Sequence, residues 1–232
     1  ADVTIHTGGY TDVGFDITGD SSLTIDGGDV IITGGNNDYT GGTTLNGGSL
    51  TIGSTGTLGS GVVTLNGGVL NTNETELTND IVNNGGTVVS NYVLDKGRTL
   101  TIGADGATFV GDIVLSGGLL YFEVMPLTVN GKVSGGDAPV SVHVTGYSVL
   151  DAADTVLLAD FGDQVVGLGL NNFVNIGGGE LIYDSASNTL HLKLADKNTW
   201  VGGRGAAWTC GGNVGWKDGD AFATGNRVMF NT

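Results

Sequence analysis

The sequence predicts an all-β protein: a parallel β-helix (β-solenoid) followed by a C-terminal irregular β segment. The first observation behind this is a recurring heptad. Thr44-Leu45-Asn46-Gly47-Gly48-Ser49-Leu50 returns as Thr64-Leu65-Asn66-Gly67-Gly68-Val69-Leu70, 20 positions on, and Thr24-Ile25-Asp26-Gly27-Gly28-Asp29-Val30 precedes it by the same step. The second is alternation: apolar and polar residues take turns within each copy, and glycine pairs separate the runs, which reads as strand, tight bend, strand. The third is that no window holds a long 3.6-residue apolar stripe, so helices are not expected.

A period near 20 residues built from short strands marks a stacked coil. One coil cannot bury its apolar face alone, whereas stacking at about 4.8 Å pairs each strand with its copy above and below. Ile25, Leu45 and Leu65 are therefore expected in one buried column. Asn46 and Asn66 are expected in one ladder, where stacked amides hydrogen-bond along the axis.

Residues 1–135 read as the repeat region. Weaker copies of the motif continue at Asn84-Gly85-Gly86-Thr87-Val88 and Val114-Leu115-Ser116-Gly117-Gly118-Leu119-Leu120, and Thr99-Leu100-Thr101-Ile102-Gly103 echoes Ser49-Leu50-Thr51-Ile52-Gly53. Residues 136–197 read as continuing β coils and a hairpin, with Leu181-Ile182-Tyr183 and Leu190-His191-Leu192 flanking a turn. Within residues 151–159 a helical turn and a strand fit equally well. Residues 198–232 form a Trp/Gly-rich junction segment in which Trp200, Trp208 and Trp216 fall 8 apart, as do Phe222 and Phe230.

Composition narrows the function classes. The chain has 232 residues, 39% hydrophobic and 14% charged, with 44 glycines and 2 prolines. Glycine far exceeds its usual share of about 7%, but without collagen's every-third spacing. Val, Ile and Leu recur throughout, which argues against disorder. Acids outnumber bases 24 to 8, a formal charge of -16. Such a surface repels nucleic acid and anionic lipid. No apolar run approaches a membrane span, and no basic-then-apolar leader is seen, as in a mature chain or an excised piece. Solvation by Asp, Asn, Thr and Ser suits an extracellular location. Cys210 is alone, which leaves no intramolecular disulfide, and without adjacent basic residues it reads as a small buried hydrophobe.

The stretch from Asn36 to Gly68, in which Asn37, Tyr39, Gly41, Thr43, Leu45, Gly48 and Leu50 fill an N-x-Y-x-G-x-T-x-L-x-x-G-x-L pattern, resembles the autotransporter-associated β-strand repeat. The segment ending at Leu192 is similar to the region that follows such repeats. The Trp-rich tail is similar to the link that opens the next block in large members. The resemblance implies a right-handed β-helical passenger of a bacterial surface protein, exported by the type V route and adhesive or self-associating.

Catalysis is not expected. Polysaccharide lyases on β-helices need clustered carboxylates with calcium and a basic residue facing the substrate. Arg98, Arg204 and Arg227 stand beside no acidic cluster in the solenoid. Asp16, Asp20, Asp26 and Asp29 read as turn or solubility residues rather than a hydrolase pair. His6, His143 and His191 are isolated, lack metal spacing and read as strand residues. Asp218 and Asp220, around a glycine, are too little for a calcium site. No cofactor or metal is expected. A polysaccharide-acting enzyme and a carbohydrate-binding module remain as alternatives, with surface glycans as the possible ligand.

The expected partner is a second copy. Trp200, Trp208 and Trp216 either present aromatic surface to a partner or form a small core capping the last coil. Read tail to head, Arg227-Val228-Met229-Phe230-Asn231-Thr232 and Ala1-Asp2-Val3-Thr4-Ile5 give unbroken alternation, as in one unit of a tandem array or one subunit of a fibre. The strand around Val228 and Phe230 is expected to pair with, or continue into, one near Val3 and Ile5 of the next unit. Ladders of Thr, Asn and Asp on one face offer a lateral alternative.

Overall fold

The computed structural model describes residues 1–123, 125–146 and 155–194, and the backbone of Lys197–Trp200 and Arg227–Phe230. It is a β-solenoid whose coils stack in parallel, sharing a core that runs along the axis. No helix among the described residues is long and apolar enough to cross a membrane.

The first side climbs through β1 (Val3–Ile5), the start of β3 (Leu23–Ile32), the start of β4 (Thr43–Ile52), β5 (Val63–Leu65), β7 (Ile81–Asn83), β10 (Thr99–Ile102), β13 (Leu119–Phe122), β16 (Val140–Val144) and β19 (Phe173–Asn175). The second side holds β2 (Tyr10–Val13), the ends of β3 and β4, β6 (Val69–Asn71), β8 (Thr87–Val89), β11 (Ala107–Val110), β14 (Leu127–Asn130) and β17 (Thr155–Asp160). A third side begins only at β9 (Tyr92–Asp95) and continues as β12 (Ile113–Ser116), β15 (Val133–Gly135) and β18 (Val165–Val166).

The repeat fixes this register. Ile25 pairs with Leu45 and Leu45 with Leu65, and all three are buried in one column. Leu50, Leu70, Val88 and Phe109 form a second column on the next side. Between the two sides the chain bends at the glycine pair. Gly48 has φ 77°, and a Cβ there would collide with the backbone of Gly28 in the coil below. The bend thus needs glycine both for its dihedral and for the close approach of the coils.

Two weaker echoes mark different corners from the one their sequence indicates. Thr99–Ile102 matches the second-side strand of earlier coils by sequence, yet it lies on the first side, between β7 and β13. Val114-Leu115-Ser116-Gly117-Gly118-Leu119-Leu120 bends from the third side into the first. The motif encodes a strand and a sharp turn, and any corner of the coil accepts that.

The parallel stack ends in an antiparallel hairpin, β20 (Glu180–Asp184) and β21 (Thr189–Lys193), with β21 also antiparallel to β17. The expected hairpin is thus present, and Thr155–Asp160 is strand. Phe161 stacks on Phe173 at 6.0 Å and Phe173 meets Tyr183 at 6.1 Å, closing that end of the core. Beyond it, β22 (Lys197–Trp200) pairs in parallel with β23 (Arg227–Phe230).

Candidate functional site: ladders and an open first coil

The expected amide ladder is present and longer than the repeat indicated. Asn66 Nδ2 donates to Asn46 Oδ1 at 2.8 Å, and Asn84 Nδ2 to Asn66 Oδ1 at 2.9 Å. At the bottom, Asn46 Nδ2 donates to Asp26 Oδ1, and His6 Nδ1 lies 3.0 Å from Asp26 Oδ2. Every amide donates toward the N-terminal coil, so the ladder has a direction and ends on a carboxylate, which only accepts. At the other end stands Gly103, where any Cβ would collide with Asn84 Oδ1. His6 therefore follows β1 as the foot of a ladder, while His143 and His191 lie in strands.

The carboxylates of the early coils also bond between coils. Asp16 accepts from Asn36 N at 3.1 Å, Asp29 from Ser49 Oγ at 2.7 Å and Asp12 from Thr33 Oγ1 at 2.7 Å. Asp20 lies 3.3 Å from Thr40 Oγ1, which donates to it. Asp2 accepts from both N and Oγ of Ser22, at 3.0 and 2.9 Å, and the Ser22 backbone bond holds its carboxyl below the ordinary range. The repeat spacing brought these pairs together, and reading each aspartate alone as a turn residue missed it. Strand-stacking register was the signal that could have found them.

Beside the amide ladder runs a column of outward threonines. Thr4, Thr24, Thr44 and Thr64 are in register, and Val82, Thr101, Tyr121 and His143 continue the column. No hydroxyl of these threonines bonds to a protein atom among the described residues, which leaves the row to water or a partner.

The first coil is paired on one side among the described residues. β1 pairs only with β3, and β2 only with β3, so among the described residues their other edges carry unpaired backbone groups. Val3 and Ile5 are half-buried against the core, while Tyr10 and Phe15 are exposed by 71% and 57%. At the tail, Val228 is opposite Asn198 and Phe230 opposite Trp200, so one edge of β23 is taken within the chain. Trp208, Trp216 and Cys210 lie outside the described residues.

No family model, curated protein or solved structure matched the chain.

Proposed function

We propose that this chain is a non-catalytic structural and adhesive module of a bacterial surface protein, which self-associates end to end. The exposed aromatics Tyr10 and Phe15 on the first coil, beside strand edges left unpaired among the described residues, carry this reading. Unpaired parallel edges are templates for further strands, and solenoids normally cap or pair them. Exposed Tyr10 and Phe15 on the same coil add apolar area that a neighbour would cover. The non-catalytic part of the reading is supported by Asp16, Asp20, Asp26 and Asp29, each of which accepts a hydrogen bond from the next coil.

Charge supports a direction. From Ala1 to Asp95 the sequence has no lysine or arginine, whereas Lys197, Arg204, Lys217 and Arg227 all follow Leu194. An acidic head and a base-bearing tail favour head-to-tail over head-to-head contact. The free edge of β23 would meet Val3 and Ile5 of the next copy. The threonine column supports a second, lateral reading, in which the unengaged hydroxyls of two molecules zip together.

Electron microscopy of the purified chain at rising salt separates these readings. Head-to-tail contact predicts filaments that shorten as salt screens the attraction. Lateral contact between surfaces of like charge predicts bundles that grow with salt. Deleting residues 1–7 should abolish filaments while the central coils stay folded. Monomeric rods under all conditions, or filaments indifferent to the deletion, would remove the axial reading.

A further inference from the structure

A cavity of about 360 Å³ opens on the third side, where the coil carrying β4 parts from the coil carrying β5 and β6. No strand ladder spans the gap: Leu77 pairs upward with Tyr92, and residues 53–62 below it are not strand. We propose that this cleft is a binding site for a neutral saccharide of about one or two hexose units, a size that fits the lower end of the usual pocket range of about 300–1,000 Å³. This goes beyond the self-association reading and does not depend on it.

The chemistry of the walls selects the ligand. Ser60, Thr75 and Thr78 line the cleft with exposed side chains, and their hydroxyls have no protein partner among the described residues. Such hydroxyls match sugar hydroxyls because each group both donates and accepts. The carboxylates of Asp38 and Glu76 add acceptors at the rim, and Leu58 with buried Leu77 gives an apolar floor for a sugar's C–H face. The lining holds two carboxylates and no lysine, arginine or histidine. The Arg98 guanidinium lies 3.7 Å from Glu76 but also 3.1 Å from Asp95, so acids outnumber bases around the rim and uronic acids are disfavoured.

Two other occupants fit worse. An added peptide strand needs free main-chain groups on the lips, but Asn37 Nδ2 donates to Thr57 O at 2.9 Å and Asn79 Nδ2 donates to Gly59 O and Gly61 O at 2.8 and 2.7 Å. A metal ion needs clustered ligands, and no group of three His, Cys, Asp or Glu that could hold one occurs among the described residues. The wall is also pre-formed. Thr72 Oγ1 bonds to Thr75 O and, at 2.8 Å, to Ser90 Oγ, so the upper lip is fixed from within the core. A fixed lip loses little freedom when a ligand arrives.

The test is an NMR titration of the full chain with glucose, galactose, mannose and N-acetylglucosamine disaccharides, and with a galacturonic acid disaccharide as the anionic control. At least one neutral sugar should shift the amide signals of Ser60, Thr75 and Thr78, and the uronic acid should not. Ser60→Ala and Thr78→Val, both at exposed positions, should each weaken binding roughly five- to tenfold while the remaining spectrum stays unchanged. The proposal is overturned if no neutral sugar moves these signals, if the shifts map elsewhere, or if the uronic acid binds equally well. Assembly broadens all amide signals alike, whereas a bound sugar shifts those of the cleft selectively, so the two readings fail separately.

Discussion

The third side of the solenoid is built in two different ways. From β9 upward it is a regular parallel sheet whose inward residues Tyr92, Leu94, Ile113, Leu115 and Val133 are buried and apolar. Below β9 the same side is loop, and its inward positions include the buried amides Asn37 and Asn79. Asn37 Oδ1 accepts from Ile17 N at 2.7 Å while its Nδ2 donates to Gly34 O and Thr57 O. One side chain thus reaches both the coil below and the coil above. A carboxamide carries the donor and acceptor of a peptide group, so it substitutes for a rung wherever the backbone does not run as a strand. The regular part of this side stacks apolar columns, and the irregular part supplements buried Ile17, Tyr39 and Leu77 with polar pivots. The cleft lined by Ser60, Thr75 and Thr78 lies in the second kind.

Removing packing from the regular half should produce the largest effect. Leu115 is fully buried between Leu94 and Gly135 in register. Leu115→Ala should cost about 2–5 kcal/mol, read as a lower urea midpoint. The irregular half should respond more locally. Asn79→Leu keeps the volume but leaves the Gly59 and Gly61 carbonyls without their donor, at about 1–3 kcal/mol for each group left unsatisfied. Amide exchange should quicken in residues 56–61 and 75–79 while Tyr92 and Ile113 stay protected. If Asn79→Leu matches the parent protein in stability and exchange, side-chain rungs do not hold that half together.

The two halves also differ in how well the sequence announced them. The column Ile25, Leu45, Leu65 was legible because a 20-residue step with period-2 alternation leaves little freedom of register. The hairpin was legible from its turn residues. The next residue in that column was not: it is Asn83, fully buried, where the earlier copies have isoleucine or leucine. Its amide turns inward on the bend, with Oδ1 accepting from Gly86 N at 2.7 Å and Nδ2 donating to Gly86 O at 3.0 Å. A buried asparagine that satisfies itself locally looks, in sequence, like a solvent-facing turn residue. Of the candidate site, Asn46 and Asn66 followed from the repeat. Asp26 and Asn84 occupy the same motif position but were missed, Asp26 because it reads as a turn carboxylate and Asn84 because its copy is offset by 18 rather than 20 residues. His6 has no counterpart in the repeat.

The exposed amide ladder tests whether polar pivots matter equally at the surface. Asn66 donates to Asn46 and accepts from Asn84. Water can replace both bonds, so Asn66→Leu should cost no more than about 0.5–1.5 kcal/mol, clearly less than Asn79→Leu. Equal losses for the two substitutions would mean that burial is not what makes the inner amides important.

The smallest effect should come from acid, and it should separate the two ends of the stack. Asp2 joins the first coil to the second through Ser22, and Asp184 closes a turn within the hairpin through bonds from Ala186 N at 2.9 Å and Ser187 Oγ at 2.9 Å. In both, hydrogen bonds to the charged form, led by the backbone N–H of Ser22 or of Ala186, hold the carboxyl below its ordinary value of 3.8. A depressed folded value means that the contribution is complete above the ordinary value and is lost as pH falls through the folded one. Stability at both sites should therefore be flat near neutral pH and decline only in strong acid. Both carboxyls are exposed to solvent, so the change is expected in local opening rather than global unfolding. Protonating Asp2 releases a tie between coils at the N-terminal end, whereas protonating Asp184 relaxes a turn whose strands remain paired to each other. Amide exchange at Ser22, corrected for its intrinsic pH dependence, should accelerate only as pH falls below the ordinary carboxyl value of 3.8. Asp2→Asn should remove that dependence, and the exchange of Leu190 and Leu192 should barely change. If Ser22 exchanges at the same corrected rate throughout, the first coil is held by its strand pairing with β3 alone, and the carboxylates at its rim serve some purpose other than clasping it.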